Sequence, residues 1–214
     1  VCFVGEAVAM VIAASRYAAE DGVEAVVVDY EALPAIVDCR DALDPAAPKV
    51  RSDAASNVLT RFPIGYGDCD GAFARAAHVI RASFHQHRGA AHPLEGRGVL
   101  AQPDPAQQGL VVWSSTQMAH DLMFTLAETL GLAESKVRVI APDVGGGFGS
   151  KFLVYPEEIA VPAAARLFGY PVKWVEDRRE HFLSAIQERD QYWDLELALD
   201  ADARILGLRG RMIH

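Results

Sequence analysis

Cysteine is scarce in this sequence. The three residues, Cys2, Cys39 and Cys69, are far apart and odd in number. A disulfide framework needs paired, closely repeated cysteines, so a reducing compartment is expected, and with it a cytoplasmic location. No CxxC and no Cys/His cluster occurs. No protein-ligated zinc or iron–sulfur centre is therefore expected in the chain. An excess of positive charge is also missing: 20 Lys and Arg stand against 29 Asp and Glu, a net charge of −9. Phosphate binding needs clustered cations, so nucleic acid is not an expected partner. No apolar run nears the roughly 20 residues of a membrane helix, so no membrane span is expected. The longest, Ala7 to Ala14, is only strand-sized.

What is present suits a globular protein. The 214 residues are 51% hydrophobic, which supports one packed domain or two small ones. The chain opens at Val1 and closes at His214 inside strand-like patterns, so a piece of a longer protein is expected. Glu6 to Ala14 reads as a buried strand. Ser15 is placed to cap a helix from Arg16 to Ala25, and Val26 to Tyr30 is a β-branched run, giving a strand–helix–strand unit. Asp38 to Asp70 carries Pro45, Pro48 and Pro63 without periodicity and reads as a connection.

Regular patterning returns after Gly71. Phe73 to Ala77 suggests a helical turn and His78 to His85 a strand. Leu110 to Trp113, Val137 to Ile140 and Val172 to Val175 are further strands. Gln117 to Leu130 is an amphipathic helix through Leu122, Leu126 and Leu130, stopped by Gly131. Glu157 to Phe168 is a helix opened by Pro156 and ended by Gly169, with Glu157 and Glu158 as first-turn charges. Pro162 inside it is expected to kink or shorten it. Trp193 to Leu199 alternates apolar with polar residues, a strand with one wet face. It turns through Ala201 to Ala203 into a strand from Ile205. The class is mixed α and β.

The densest signal is Val144-Gly145-Gly146-Gly147-Phe148-Gly149-Ser150-Lys151, between a strand and a helix. So many glycines mean positive φ or a close approach to the backbone. Free N–H groups in such a loop can grip an anion or an oxo group. A tight turn without ligand is the bland alternative. A phosphate-binding P-loop fails, because Ser150 separates Gly149 from Lys151. A dinucleotide fingerprint is met by Gly145 and Gly147 but not by Ser150.

Several segments together resemble one family. Gly145 to Lys151 resembles the cofactor loop of the molybdenum hydroxylases: xanthine dehydrogenase, aldehyde oxidase and carbon monoxide dehydrogenase. Trp113-Ser114-Ser115-Thr116-Gln117 resembles that family's strand ending in Ser-Thr-Gln. Glu95-Gly96-Arg97-Gly98 resembles its Glu-Pro-Arg-Gly segment, with Gly96 where Pro is usual. Val4 to Ala9, Val28 to Pro34 and Pro171 to Arg178 resemble further segments, in the family's order.

The resemblance implies an α+β fold. Residues 1–45 would be the C-terminal part of an α/β hammerhead domain and 46–70 an interdomain connection. Residues 71–214 would be the first part of a mixed α/β molybdenum-cofactor-binding domain. It implies a molybdenum–pterin cofactor (molybdopterin, as a dinucleotide), with the molybdenum held by the pterin's sulfurs and no metal ligand from the protein. Gln117 would hydrogen-bond an oxo ligand. Phe148 and Gly149 would lie at the same centre, a backbone N–H donating to the cofactor, with Gly146 and Gly147 in the same loop. Arg97 would either organise a buried ion pair or help hold the pterin. Iron–sulfur and flavin (FAD) centres are implied on partner subunits or domains, and the heteromeric unit would pair as a homodimer.

The implied reaction is oxidative hydroxylation of a small molecule with oxygen from water: an aldehyde, an N-heterocycle or carbon monoxide. Phe152 stands where purine-oxidising members carry a substrate-binding Glu, which disfavours a purine. The family's general base, a Glu, would lie beyond His214, so no catalytic residue is expected within this chain and the chain alone is expected to be inactive. A non-catalytic cofactor-binding or assembly fragment, and a nicotinamide-dinucleotide-binding domain, stay open as alternatives. His85 and His87 share a strand face, with His92 close by in sequence; no metal site is expected of them. Arg178 and Arg179 with Glu176 and Asp177 read as a solvated charge cluster.

Overall fold

The computed structural model describes all residues from Val1 to His214. Helices α1 (Arg16–Glu24) and α2 (Cys69–Ala74) come first, with a 3-10 turn at Asp41–Leu43 between them. Strands β1 (His78–Gln86), β2 (Gly89–Ala90), β3 (Gly98–Asp104) and β4 (Gly109–Ser114) follow. Then come α3 (Ala119–Leu130), β5 (Val137–Ile140), α4 (Pro156–Phe168), β6 (Val172–Val175) and α5 (Arg178–Ser184). Strands β7 (Gln187–Glu188), β8 (Gln191–Leu199) and β9 (Ile205–Ile213) complete the chain. No helix is long and apolar enough to cross a membrane.

The chain forms two compact units that interleave along the sequence. One comprises Val1, Phe3–Asp29 and Ala90–Gln187; the other comprises Cys2, Tyr30–Gly89 and Glu188–His214.

The first unit holds a four-stranded sheet in the order β5-β4-β3-β6. β3 runs antiparallel to both β4 and β6, while β4 and β5 are parallel. Alternate residues of β3 and β4 (Val99 and Ala101, Leu110 and Val112) are buried, as a pleated strand requires when one face meets the core. Leu122 and Leu126 of α3 and Val161, Ala164 and Ala165 of α4 join them in one apolar cluster. Both helices end at a left-handed glycine, Gly131 (φ 64°) and Gly169 (φ 74°), where a side chain would strain the backbone. Pro162 does not shorten α4, which runs on to Phe168.

The second unit is built on an antiparallel sheet, β1-β8-β9. β1 pairs β8 from His78↔Leu199 to Gln86↔Gln191. The wet face of β8 carries Asp194 and Glu196, which accept from Ser83 and from Arg81 and Arg209 respectively.

The N-terminal expectation is corrected in part. Ser15 does cap α1, its hydroxyl accepting from the Ala18 N–H. Neither Glu6–Ala14 nor Val26–Tyr30 is a strand. A β-branched run has the propensity for a strand, but a strand exists only with a ladder partner. Neither run pairs with another here. Val27 is 92% exposed, where a β-branched strand was expected. Gln117 also differs: it precedes the helix rather than opening it, since α3 starts at Ala119.

Candidate functional site

Topology brings the sequence motifs to one edge of the four-stranded sheet. β4 and β5 are parallel, so their carboxyl ends emerge side by side, with Trp113 opposite Ile140. Ser115 to Gln117 follow the first and the glycine loop follows the second. β3 is antiparallel to β4, so its amino end lies at the same edge, with Val99 opposite Ser114. Glu95, Gly96 and Arg97 lead into it. β6 is antiparallel to β3, so Glu176 leaves at this edge too, with Gly98 opposite Val175. The carboxyl ends of parallel strands are where open α/β sheets bind ligands.

The glycine loop is fastened from two sides. Gln117 donates its backbone N–H to Lys151 O (2.9 Å), while its Oε1 accepts from the N–H groups of Gly149 and Lys151, each at 3.2 Å. Those two donors fix the amide's orientation and leave Nε2 as the side chain's donor, with no acceptor in the protein. From the other side, Glu95 Oε2 accepts from the Gly145 N–H and from Lys151 Nζ, both at 2.7 Å. Lys151 is 1% exposed. Burial alone would raise the Glu95 carboxyl's pKa; the ammonium and the Gly145 N–H outweigh it and hold the pKa below the ordinary value.

The loop's glycines have separate reasons. A Cβ on Gly147 would sit 2.5 Å from Gln117 Oε1, and one on Gly145 would sit 2.7 Å from Glu95 Cβ. Gly149 has φ 94° and open space where its Cβ would be. Gly146 has φ 95°, and Phe148, with φ 52°, is the loop's non-glycine residue in the left-handed region. The Phe148 ring is 78% exposed. The N–H groups of Gly146, Gly147 and Phe148 find no acceptor within the protein. Consecutive free N–H groups in such a turn form a cradle for an oxygen atom carrying negative charge. Of the Phe148–Gly149 pair, Gly149 gives its N–H to Gln117 and the N–H of Phe148 is free.

Arg97 organises a buried ion pair, one of the two roles expected for it. It is 4% exposed. Its Nε donates to Glu176 Oε1 (2.8 Å), and its terminal nitrogens reach Ser184 Oγ (2.7 Å) and Glu157 Oε2 (3.4 Å). The guanidinium lies over the Tyr155 ring, 3.7 Å from its centroid. Through these contacts it ties the edge of β3 to α4 and α5. Glu176 also accepts from the Arg97 backbone N–H (2.8 Å) and lies against His181 Nδ1 (2.9 Å). The solvated cluster expected here is therefore half wrong. Glu176 is buried, Arg178 donates to Pro93 O and Leu94 O, and Asp177 caps α5. The partner of Glu176 lies 79 residues back, beyond the reach of local patterning.

Glu158 is more than a first-turn charge. It is buried, accepts from the Tyr155 N–H (3.0 Å) and from the Ser114 hydroxyl, and burial pushes its carboxyl's pKa up. The Tyr155 hydroxyl in turn donates to Ser150 O (2.6 Å) and accepts from the Ile186 N–H (3.0 Å). Phe152 is 58% exposed. The His85 and His87 rings do share a face, 4.4 Å apart, and His85 stacks on Tyr192. His92 instead lies edge-on to His181, with ring centroids 5.4 Å apart.

Known proteins share this sequence and fold. A family model, the molybdopterin cofactor-binding domain, matches residues 50–214. The large subunit of nicotine 6-hydroxylase from Paenarthrobacter nicotinovorans is 42% identical, over 97% of this chain and 25% of its own length. The carbon monoxide dehydrogenase large chain of Hydrogenophaga pseudoflava is 39% identical, over 96% of this chain and 27% of its own. The crystal structure of quinoline 2-oxidoreductase from Pseudomonas putida 86 matches with a TM-score of 0.84 and 38% identity, covering 94% of this chain and 25% of that one. The chain spans about a quarter of the length of these relatives. With a cradle of free N–H groups at the carboxyl ends of its parallel strands, and with that family model covering most of its length, the chain belongs to the molybdopterin cofactor-binding domain family of molybdenum hydroxylase large subunits.

Proposed function

We propose that this chain supplies one wall of the cofactor site in a molybdenum hydroxylase. The enzyme would oxidise an aldehyde, an N-heterocycle or a carbon monoxide-like substrate with oxygen taken from water. The observation that carries the reading is the run of free N–H groups at Gly146, Gly147 and Phe148 beside the open space at Gly149. When bound, a molybdenum–pterin group in its dinucleotide form would supply the two-electron redox chemistry. The free N–H groups of Gly146, Gly147 and Phe148 would hold it by donating to negatively charged oxygen. Gln117 fastens the loop through Oε1 and offers Nε2 as a neutral donor beside the reacting centre. Phe152 presents an apolar ring where a carboxylate would be needed to hold a purine, which supports a non-purine substrate.

In this reading residues 1–45 correspond to the end of the hammerhead domain, 46–70 to the connection and 71–214 to the first part of the cofactor-binding domain. The partners are an iron–sulfur subunit and a flavin subunit, the assembly pairs as a homodimer, and it works in the cytoplasm. The names of two relatives, the subunit gamma of a 6-hydroxypseudooxynicotine dehydrogenase complex and a carbon monoxide dehydrogenase large chain, support a multisubunit enzyme.

The test uses the full-length subunit assembled with its partners. Purified complex should carry molybdenum and pterin in proportion to this chain. In heavy-oxygen water it should label the hydroxylated product of an aldehyde or N-heterocycle, or the carbon dioxide formed from carbon monoxide. It should leave xanthine untouched. Complex without molybdenum, or with product oxygen drawn from dioxygen, would sink the reading; xanthine as the best substrate would remove the role given to Phe152.

A further inference from the structure

We propose that Glu95 and Lys151 are positioning residues of the cofactor cradle, acting by tying the first and last residues of the glycine loop to a single carboxylate oxygen. The proposal rests on the cofactor reading above and adds to it the device that shapes the cradle. Glu95 Oε2 is the shared point: the Gly145 N–H reaches it at the start of the loop and Lys151 Nζ at its end, each at 2.7 Å. A second clasp lies beside it. The Glu95 N–H donates to Gly145 O (3.4 Å), and Lys151 meets the Gln117 backbone and side chain through its own O and N–H. The free donors of Gly146, Gly147 and Phe148 lie between the two pinned ends.

A buried ion pair is a costly way to gain stability. An ammonium 1% exposed has lost its water, and apolar residues of the same volume often stabilise as well or better. What an apolar contact lacks is direction. Here one oxygen joins the Gly145 backbone to the side chain of Lys151, six residues on, and closes the segment into a loop. The pair also fixes Gln117, because the Lys151 backbone grips the Gln117 amide from the same residue whose side chain grips Glu95. The two ends differ in exposure, since the Glu95 side chain is 42% exposed. Losing Lys151 leaves a carboxylate that water can reach, whereas losing the Glu95 charge strands a buried ammonium. The informative substitutions are therefore Lys151→Met alone and Lys151→Met combined with Glu95→Gln, which leaves no unpaired charge.

These variants are made in the full-length subunit with its partners, alongside Gly149→Val. Three quantities are measured: molybdenum and pterin retained through dialysis, the thermal midpoint, and hydrogen exchange at the amides of Gln117, Gly149 and Lys151. Both brace variants should keep the parent's thermal midpoint. They should lose cofactor about 10–100-fold faster, the range seen when a group orienting a metal site is removed. Exchange at the three amides should speed up with it. Cofactor loss that appears only with a lowered midpoint, and is undone in the double variant, would make the pair an ordinary structural ion pair and overturn the proposal. Retention at the parent's rate in both brace variants, with loss in Gly149→Val, would overturn the brace and leave the cofactor reading standing. Retention in all three variants would overturn the placement of the cofactor at this loop, and the brace with it.

Discussion

Replacing Arg97 by Met should open the sheet edge at Glu176, and the size of the effect follows from what is left behind. Met keeps most of the volume and removes the guanidinium. The Glu176 side chain is 0% exposed and that of Arg97 5%, so water does not take the lost partner's place. Glu176 keeps the Arg97 backbone N–H and His181 but loses its forked, charge-assisted contact. Breaking such a buried pair costs about 3–5 kcal/mol. Loss of the stacking on Tyr155 adds roughly 0.5–2 kcal/mol. The readout is hydrogen exchange at the Glu176 amide, which donates to Arg97 O at 2.9 Å, compared between variant and parent in the full-length subunit. A cost of about 3 kcal/mol means protection lowered on the order of 100-fold.

Acid sets the sign of a second readout. Burial raises the Glu176 carboxyl's pKa, but Arg97 more than offsets it and the net direction is down. A depressed folded-state value gives stability that is present above the unfolded carboxylate range and lost only as pH falls through the lower, folded value. Without Arg97, burial prevails and the carboxyl takes up a proton more readily, so the variant's defect should be largest near neutrality and shrink towards about pH 5. Adding Glu176→Gln to Arg97→Met should recover much of the loss at neutral pH, because the unpaired charge is gone. A defect of less than about 0.5 kcal/mol, or one of the same size at every pH, would refute the reasoning.

Other consequences follow from the same network. Glu158→Gln should be within about 1 kcal/mol of the parent at neutral pH, because Ser114 and the Tyr155 N–H can still be satisfied. Burial raises the Glu158 pKa, so its contribution falls as pH rises from the unfolded carboxylate range through the folded value; the variant's relative thermal stability should grow over that window, and a constant difference would count against a raised pKa. Gln117→Ala should keep the fold, since neutral hydrogen bonds contribute only about 0.5–1.5 kcal/mol each. Its turnover at full molybdenum loading should fall further than its cofactor content; unchanged turnover would place Gln117 away from the reacting centre. Gly147→Ala forces a Cβ to 2.5 Å from Gln117 Oε1, so it should lower cofactor content as well, and parent-level content measured by metal analysis would show that the loop tolerates the shift.

The elements that patterning marks are those whose cause is local. Val137–Ile140 and Val172–Val175 form as expected, and the glycine stops at Gly131 and Gly169 close α3 and α4. β3 is harder to see. Gly98, Ala101 and Pro103 weaken its strand character, and it forms because β4 and β6 pair with it on either side. The opposite error occurs at Val26–Tyr30, where strand propensity finds no ladder. At the site, Gln117 and the glycine loop are legible because an unusual composition needs a reason. The carboxylate partners are not. Glu95 lies 56 residues before Lys151 and Arg97 lies 79 before Glu176, and no periodicity links them.

The division between legible and hidden residues has a physical origin. The sheet and its two covering helices are held by apolar area, which any residue of the right size and period supplies. The segments that leave the sheet edge have no such support. Residues 141–155 form no helix and no strand, and a loop rich in glycine gives up more conformational freedom on ordering than any other. Directional polar contacts must then set its shape. They are found at each turn of that edge: Glu95 with Gly145 and Lys151, Gln117 with Gly149 and Lys151, and Tyr155 with Ser150 and Ile186. All but the Tyr155–Ser150 contact join residues more than 30 apart in sequence and so become visible only after folding. The free N–H groups of Gly146, Gly147 and Phe148 are the counterpart of this arrangement. They can stay unpaired within the protein because the residues on either side of them are pinned, and a cradle held open at both ends is ready to receive a negatively charged oxygen without first reorganising.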